Sequence, residues 1–444
     1  RSWLPRTAAG LPARIATLDK LIAHDPDAAF DILIALGSGG PQMAGPAAQP
    51  KWREDDAGAG HGVTVAEVQS MQIAARERII QLSHHNASRI ASLLEHNVLT
   101  HQDDMPEVLS LMEPFSTKQA IDEDRDLLRK ALRRVIHWHR NYDDAPTEEL
   151  DRWLNPAEEM HERLAPHDLI VRHRWLFGNH WPELPCHDQL NDSNAKIELV
   201  THTRIAALSE IFRAQGMPGI EHLIETSTEP GSIGNPLVQA VGNTFPWSQW
   251  IADFGGEFLP MEKPSWCISS LLGSPGFADN KVLSSVIELG KTNSWSSEKL
   301  ARLLVLAPVH TQTWTLAQEC GPEVEMHYWQ QVRPGYRHYD TELGHIVESL
   351  LQAKRPRTAL HCCEFDLDKI STELLMNALQ HLLAGEEADV NMIDSWHLDE
   401  MLQRLENSSE IDKAALIQLE FGLFPALSYG YELSLIHISQ GIVR

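Results

Sequence analysis

Apolar residues in this chain recur every three or four positions, and alternation of apolar and polar residues is nearly absent. A spacing of three to four places apolar side chains on one face of a helix, whereas a half-buried strand requires a period of two. Between residues 11 and 36, the apolar residues with this spacing are Ile15, Leu18, Leu21, Ile22, Phe30, Leu33 and Ile34. The sequence therefore predicts an all-α fold with almost no strand.

A junction in which proline begins the second of two helical segments occurs three times. An apolar helix end is followed by a polar turn, and Pro26, Pro218 or Pro356 then opens the next helix. Proline suits this position because its missing N–H would have no partner in the first turn. Helix pairs of this kind bury their apolar faces by stacking on neighbours, so we expect an irregular α-solenoid of stacked helical hairpins, similar to HEAT or TPR arrays. The junctions are unequally spaced, and helical proteins without repeats contain them too.

Periodicity and composition divide the chain into four regions. The N-terminal region contains helical hairpins and a loop rich in Gly and Pro at residues 37–62. Ser116 and Gln119 have the spacing of a capping box, which predicts that they open the next helical region. The predicted regions are residues 1–115 (N-terminal hairpins), 116–260 (middle helical region), 261–432 (C-terminal helical repeats) and 433–444 (tail).

The end of the chain breaks the helical pattern. The last predicted helix, Lys413 to Leu427, places Leu416, Leu419, Phe421 and Phe424 on its buried side. Residues 433–444 then run apolar and β-branched, and they resemble translated sequencing-adapter read-through, so we expect this tail not to be native. The chain begins with Arg1 rather than Met, and we interpret the whole sequence as a fragment of a larger protein.

Charge and cysteine content bound the class of protein. Asp and Glu number 62 against 37 Lys and Arg, a net charge of −25 that opposes broad binding to phosphate backbones. The five cysteines are odd in number and show no disulfide framework, which favours a reducing, cytoplasmic compartment. No apolar run approaches the ~20 residues that span a bilayer. We therefore expect a cytoplasmic protein whose partners are other proteins or further domains of its own chain.

Motifs that carry catalysis or hold a cofactor are absent from the sequence. There is no G-x-x-x-x-G-K-[ST] phosphate loop, no G-x-S-x-G elbow and no H-E-x-x-H helix. Asp122, Asp124 and Asp126 alternate like the start of a calcium loop, but Leu127 stands where that loop requires Gly. These aspartates instead favour the first turn of a helix, where the dipole attracts negative charge. We predict a non-enzymatic chain without catalytic residues, cofactor or bound metal.

Histidine is enriched, with 23 copies, and this enrichment supports an alternative to the non-enzymatic prediction. A run of five falls six or seven residues apart, next to Cys186, but Pro166, Pro182 and Pro185 exclude one continuous helix. No Cys and His pair has zinc-finger spacing, so packing and surface roles are favoured. An enzyme site built on histidine remains the alternative, and Cys362 and Cys363 are expected to be buried thiols. The run consists of His161, His167, His173, His180 and His187.

One basic and aromatic patch is a candidate binding surface. Arginine and aromatic side chains together can hold phosphates and stack bases, so a nucleic-acid-binding arm is a second alternative. The simpler interpretation is the solvated face of an amphipathic helix. The candidate residues are Arg129, Arg133, Arg134, Trp138, Arg140 and Tyr142.

Thirteen tryptophans are expected mostly to fill helical cores. Residues 245–250, which contain Trp247 and Trp250, and residues 264–266, which contain Trp266, are predicted to be irregular loops. Their aromatic side chains are therefore expected to be contact residues.

Several short motifs, in order along nearly the whole chain, resemble the C-terminal helical region of very large bacterial proteins. Some of those proteins are related to signal-transduction ATPases with numerous domains and to anti-phage defence. The resemblance implies a sensor or scaffold arm, with ATPase and effector located before Arg1, and it assigns no catalytic residue. The motifs lie at residues 3–7, 18–36, 49–53, 169–177, 183–185, 321–324, 328–332 and 418–421.

Overall fold

The computed structural model is helical wherever it describes the chain, and no strand occurs in those residues, which confirms the all-α prediction. The chain divides into two compact units, residues 1–229 and residues 230–444. The predicted tail at 433–444 and all of the predicted loop except Gly37 lie outside the described residues. Described are residues 9–37, 63–100, 102–117, 119–185, 193–258, 262–277, 279–334, 342–385 and 395–427.

The first unit contains nine α-helices in its described ranges, together with two short 3-10 turns at Glu113–Ser116 and Arg174–Phe177. In chain order these helices are α1 (Leu11–His24), α2 (Pro26–Gly37), α3 (Val65–Ser83), α4 (Ala87–Glu95), α5 (Met105–Met112), α6 (Asp122–Tyr142), α7 (Thr147–Arg163), α8 (Leu169–His173) and α9 (Ser193–Thr226).

The second unit contains twelve further helices in its described ranges and 3-10 turns at Pro275–Phe277 and Leu367–Lys369. Across both units, no described helix combines the length and hydropathy needed to cross a membrane. The helices are α10 (Gly231–Val241), α11 (Trp247–Phe258), α12 (Glu262–Leu272), α13 (Lys281–Thr292), α14 (Ser297–Leu306), α15 (Thr311–Glu319), α16 (Pro322–Gln331), α17 (Leu343–Gln352), α18 (Pro356–Cys363), α19 (Thr372–Ala384), α20 (Ser395–Glu406) and α21 (Lys413–Leu427).

All three proline-led junctions are present. Pro26 begins α2 and Pro356 begins α18. Pro218 lies just after Gly216, where α9 is interrupted by a backbone φ of 67°. This left-handed conformation costs a glycine little, whereas a side chain would strain it. The junctions are therefore local features that the sequence alone encodes.

The predicted capping box at Ser116 and Gln119 is wrong. Ser116 belongs to a 3-10 turn, where its hydroxyl donates to the Glu113 carbonyl at 2.9 Å, and it lies too far before the start of α6 to cap that helix. Helix α6 begins at Asp122 instead, and its first turn holds Asp122, Glu123 and Asp124, so the predicted placement is confirmed for Asp122 and Asp124 but not for Asp126. A capping box does form at α3, where Thr64 and Glu67 bond reciprocally.

The apolar core of the first unit runs continuously from Leu18 on α1 to Leu164 after α7. The predicted stripe on α6 is buried, and Leu128, Leu132 and Ile136 are fully enclosed against α4 and α7. This core crosses the predicted region boundary at residues 115/116. The four-region division stays a prediction, and the two compact units are the division that the structure itself provides.

Within each unit, the closest helix pairs are neighbours or next-neighbours in sequence. In the first unit α4 packs on α6 and α2 on α3. In the second unit α10 packs on α12 and α14 on α16. Most tertiary packing therefore joins helices that are close along the chain.

The last described helix, α21, has the predicted bounds but a different buried face. Leu416 and Leu419 are buried as expected, whereas the prediction for Phe421 is wrong because its side chain is 84% exposed. Phe421 lies two residues after Leu419 and therefore about 200° further round the helix. Leu423 takes the buried position. The side chain of Phe424 lies outside the described residues.

Candidate binding sites

The structure does not place the six candidate patch residues of α6 on one surface. Arg129 and Arg133 are only 7% and 5% exposed, and they face the interior of the first unit. Arg140 is held by ion pairs on α7. The exposed members are Arg134, Trp138 and Tyr142.

Two of the buried arginines of α6, Arg125 and Arg129, bind backbone carbonyls at or near helix ends. Arg129 donates from Nε to the His161 carbonyl and from Nη1 to the Arg172 carbonyl, both at 3.2 Å. Arg125, one turn earlier, donates to the Ala165 carbonyl at 2.7 Å and to the Thr117 carbonyl at 2.6 Å. Carbonyls in the last turn of a helix lack partners within that helix. These arginines are therefore structural, and their signal in the sequence is a spacing of four residues beside the apolar stripe.

Arg140 also has its donors engaged within the first unit. Its Nη1 lies 2.5 Å from Asp151 and its Nε lies 2.7 Å from Glu158, while Nη2 donates to Asn155 at 2.8 Å. Two carboxylates of α7 thus neutralise one guanidinium. Arg140 is therefore a poor phosphate ligand in this conformation, because an incoming anion would have to displace both carboxylates.

The described histidines of the predicted run each have a separate environment. His161 is buried on α7, and burial lowers its pKa to about 4, so it is neutral near pH 7. His167 contacts Asp122 at 3.1 Å, and His173 contacts Glu210 at 2.8 Å. The described ranges contain no group of three or more side chains able to hold a metal. Cys186 and His187 lie outside those ranges.

The paired thiols of α18 are buried. The Cys362 thiol donates to the Thr358 carbonyl at 3.0 Å, and the Cys363 thiol donates to the Leu360 carbonyl at 3.1 Å. Burial raises the pKa of Cys363 to about 12, so its thiolate is scarce. Both residues pack as small apolar side chains, as the sequence predicted.

The tryptophans expected in loops belong to helices, so that prediction is wrong. Trp247 begins α11, and both Trp247 and Trp250 are buried. Trp247 packs edge-on against Phe277 with ring centroids 5.8 Å apart, and Trp250 stacks on Phe254 at 5.0 Å. Trp266 lies within α12 and is half exposed. Pro246 directly precedes α11 and Pro264 lies in the first turn of α12, where proline is compatible with a helix, so neither proline marks a loop.

The residues that follow α18, the turn at Leu367–Lys369 and helix α20 line an open cleft of about 460 Å³ in the second unit. Three carboxylates line it, from Glu364, Asp368 and Glu400, together with one guanidinium, from Arg404. Arg404 is held in place because its Nη2 donates to the Ile370 carbonyl at 2.6 Å. We call this the acidic cleft, and its lining residues are Glu364, Phe365, Leu367, Asp368, Glu400 and Arg404.

Two exposed aromatic rings lie beside the acidic cleft. Phe365 is 65% exposed and Trp396 is 62% exposed. Both pack edge-on against His397, with ring centroids 5.4 Å and 4.8 Å away. His397 in turn lies 3.9 Å from Glu364, whose other oxygen is 3.2 Å from His361. Both rings therefore contact His397, and more than half of each side chain is exposed to solvent.

Sequence reasoning missed the acidic cleft, because its residues are spread over forty positions with no recurring motif. Phe365 and Trp396 come together only through the packing of α18, α19 and α20. The chain matches no protein-family model, no curated protein and no solved structure.

Proposed function

We propose that this chain is a non-catalytic helical-repeat scaffold that binds a basic protein segment in the acidic cleft of its second unit. In this proposal the chain is the sensor or scaffold arm of a larger bacterial protein, as the resemblance to the C-terminal helical region of very large bacterial proteins implies. The observation that carries the proposal is an excess of carboxylates in a cleft whose lining includes the largely exposed Phe365.

The packing of the helices supports a repeat architecture. Helices in stacked arrays contact mainly their sequence neighbours, so that each addition buries the open face of the one before. The closest pairs within both units follow this rule, for example α14 with α16 and α17 with α18. We propose an irregular α-solenoid on this basis, which suits extended surfaces for partner binding.

The chemistry of the acidic cleft favours lysine or arginine side chains. Three carboxylates against one guanidinium leave the cleft negative, which attracts cations and repels phosphates. An aromatic face binds a cation with roughly 0.5–2 kcal/mol, whereas an exposed ion pair contributes about 0.2–1 kcal/mol. In this proposal the exposed rings of Phe365 and Trp396 contribute on the same scale as the carboxylates, and a basic segment uses both.

The nucleic-acid alternative loses support from the positions of its candidate residues. Arg129 and Arg133 are buried, and Arg140 is neutralised by Asp151 and Glu158. Arg134, Trp138 and Tyr142 remain exposed on α6, which leaves one arginine among the six candidates at the surface. A single cation gives little of the electrostatic term that dominates nucleic-acid affinity.

A labelled octa-arginine peptide tests the proposal by fluorescence anisotropy with the full chain. We expect saturable binding that weakens at least threefold between 50 and 200 mM salt, since ion pairs are screened. The double substitution Phe365→Ala and Trp396→Ala should weaken binding at least fivefold, and Glu400→Lys should weaken it further. Phe421→Ala, which removes an exposed ring outside the cleft, is the matched control and should change nothing.

Two outcomes would overturn the cleft assignment. Equal binding by the full chain and by the Glu400→Lys variant would show that the peptide responds to overall charge. Binding of a labelled single-stranded DNA that is stronger than peptide binding would restore the nucleic-acid alternative. Circular dichroism on each variant checks that the helices are intact.

A further inference from the structure

A second cavity in unit two, of about 540 Å³, lies where one helix ends and three others begin. Helix α12 ends at Leu272 on one side, and Asn280, His310 and Glu342 precede α13, α15 and α17 on the others. Its volume falls in the range of roughly 300–1,000 Å³ typical of small-molecule sites. We call it the polar cavity.

Two polar side-chain atoms in the wall of the polar cavity are buried without hydrogen-bond partners among the described residues. Ser274 is 3% exposed and Asn280 is 8% exposed. Neither the Ser274 hydroxyl nor the Asn280 amide nitrogen has a hydrogen-bond partner there. Buried polar groups in native proteins are almost always paired, so two orphaned groups in the wall of one cavity require an explanation.

Asn280 occupies the N-cap position of α13, but its side chain does not cap the helix. Its backbone φ is 54°, and its side chain makes no capping bond to α13. The neighbouring Asp279 performs that role, since its Oδ1 accepts from the Lys281 amide at 3.2 Å. Asparagine adopts the left-handed conformation readily, so the backbone needs no special explanation, but capping leaves the buried amide nitrogen of Asn280 without a role.

The starts of α15 and α17 add polar groups to the same wall. Their N-cap residues, His310 and Glu342, make no side-chain capping bond in the described structure. The Thr311 hydroxyl donates to the Glu342 carboxylate and fixes its position. The His310 ring lies within 3.4 Å of the Thr313 hydroxyl, which itself donates to the Pro308 carbonyl. The wall is thus a preorganised set of groups.

The balance of these groups specifies the ligand. Ser274 and Asn280 offer donors, Glu342 offers a fixed acceptor, and no lysine or arginine is among the described lining residues. A phosphate would therefore have no cation to meet. Pro275 and Pro308 supply flat apolar surface, and the His310 ring supplies a stacking face. These features together suit a neutral, planar, hydrogen-bonding ring.

We propose that the polar cavity binds a neutral purine nucleoside or base of the guanine type. Guanine presents adjacent ring and amino N–H donors on one edge, which match the two oxygens of Glu342. Its O6 and N7 are acceptors, which match the donors of Asn280 and Ser274. This site is separate from the acidic cleft, so either assignment can fail while the other stands.

Isothermal titration of the full chain with guanosine tests the proposal. We expect saturable binding near one molecule per chain, with a dissociation constant below 1 mM. Inosine lacks the exocyclic amino group and should bind at least fivefold more weakly. Guanosine triphosphate should bind no more tightly than guanosine, because the cavity offers its phosphates no cation. Absence of saturation at 1 mM guanosine, or equal binding of adenosine, would overturn the assignment.

Substitutions separate ligand binding from folding. Ser274→Ala should weaken guanosine binding at least fivefold and leave the Tm of the free protein unchanged or raised by about 2–4 °C, since it removes an unpaired buried hydroxyl. Glu342→Gln should weaken guanosine binding at least tenfold, whereas Glu348→Gln, an exposed position on the same helix, should not. Normal guanosine affinity in Ser274→Ala and Glu342→Gln would refute the proposed contacts.

Discussion

The guanidinium of Arg133 lies 3.9 Å from the ring centroid of Trp175, deep inside the first unit. Its Nε and Nη1 have no hydrogen-bond partner in the described residues. Burial and the neighbouring Arg129 charge lower the pKa of Arg133 to about 10. Such a pKa corresponds to a penalty of roughly 3 kcal/mol for the charged form. The contact with Trp175 offsets only part of it, because a cation–π interaction contributes about 0.5–2 kcal/mol.

Arg133→Met should therefore leave the free energy of unfolding unchanged or raise it by about 1 kcal/mol, since methionine keeps the contact with Trp175 without the unpaired charge. Arg129→Met is the matched control on the same helix. It should lower the free energy of unfolding by about 2–4 kcal/mol, because the His161 and Arg172 carbonyls lose their donor. Urea unfolding followed by circular dichroism measures both. Equal destabilisation by the two substitutions would contradict this distinction.

His161 predicts a specific dependence of stability on pH. Burial lowers its pKa from 6.5 to about 4, so between these values the unfolded chain binds a proton that the folded chain does not. The neutral His161 side chain therefore contributes fully to the free energy of unfolding above pH 6.5. This contribution, of up to roughly 3 kcal/mol, is lost as the pH falls towards 4. His161→Phe should reduce the loss of unfolding free energy between pH 7 and pH 4.5, whereas exposed His222→Phe should not. Unchanged profiles in His161→Phe would show that other groups cause the loss.

The two compact units should fold independently. Each has its own core, so residues 1–229 and residues 230–444 expressed separately should be helical and unfold cooperatively. Residues 1–115 alone should fail to do so, because α4 then loses its packing against α6. Circular dichroism with thermal unfolding tests all three fragments. A cooperative transition for residues 1–115 would instead support the region boundary at 115/116.

Thiol reactivity should distinguish Cys320 from the buried cysteines. Cys320 is partly exposed, whereas Cys267, Cys362 and Cys363 are buried, and burial raises the pKa of Cys267 to about 12. The thiolate is the reactive form, so the buried thiols should react slowly. In a Cys186→Ser background, Ellman's reagent should find one fast thiol in the native protein, and Cys320→Ser should remove it. Two or more fast thiols would indicate that the core around Cys267 or Cys362 opens readily.

The sequence by itself determined the elements of this fold and many of their ends. Helical periodicity, Pro26 and Pro356 at helix starts, and the acidic first turn of α6 act over a few residues, so the local chain encodes them. The bounds of α21 were predictable for the same reason. The buried Leu128 stripe followed from its spacing, because one apolar face dominates that helix.

Only the tertiary structure decided which polar and aromatic side chains are buried. Arg129 is enclosed because carbonyls of α7 and α8, more than thirty residues away, accept its hydrogen bonds. Phe421 is exposed because α21 turns its Leu419 face towards its neighbours. The acidic cleft and the polar cavity join residues that share no local pattern. Periodicity fixes how a helix is divided into faces, but the partners that cover each face are set by packing between distant segments.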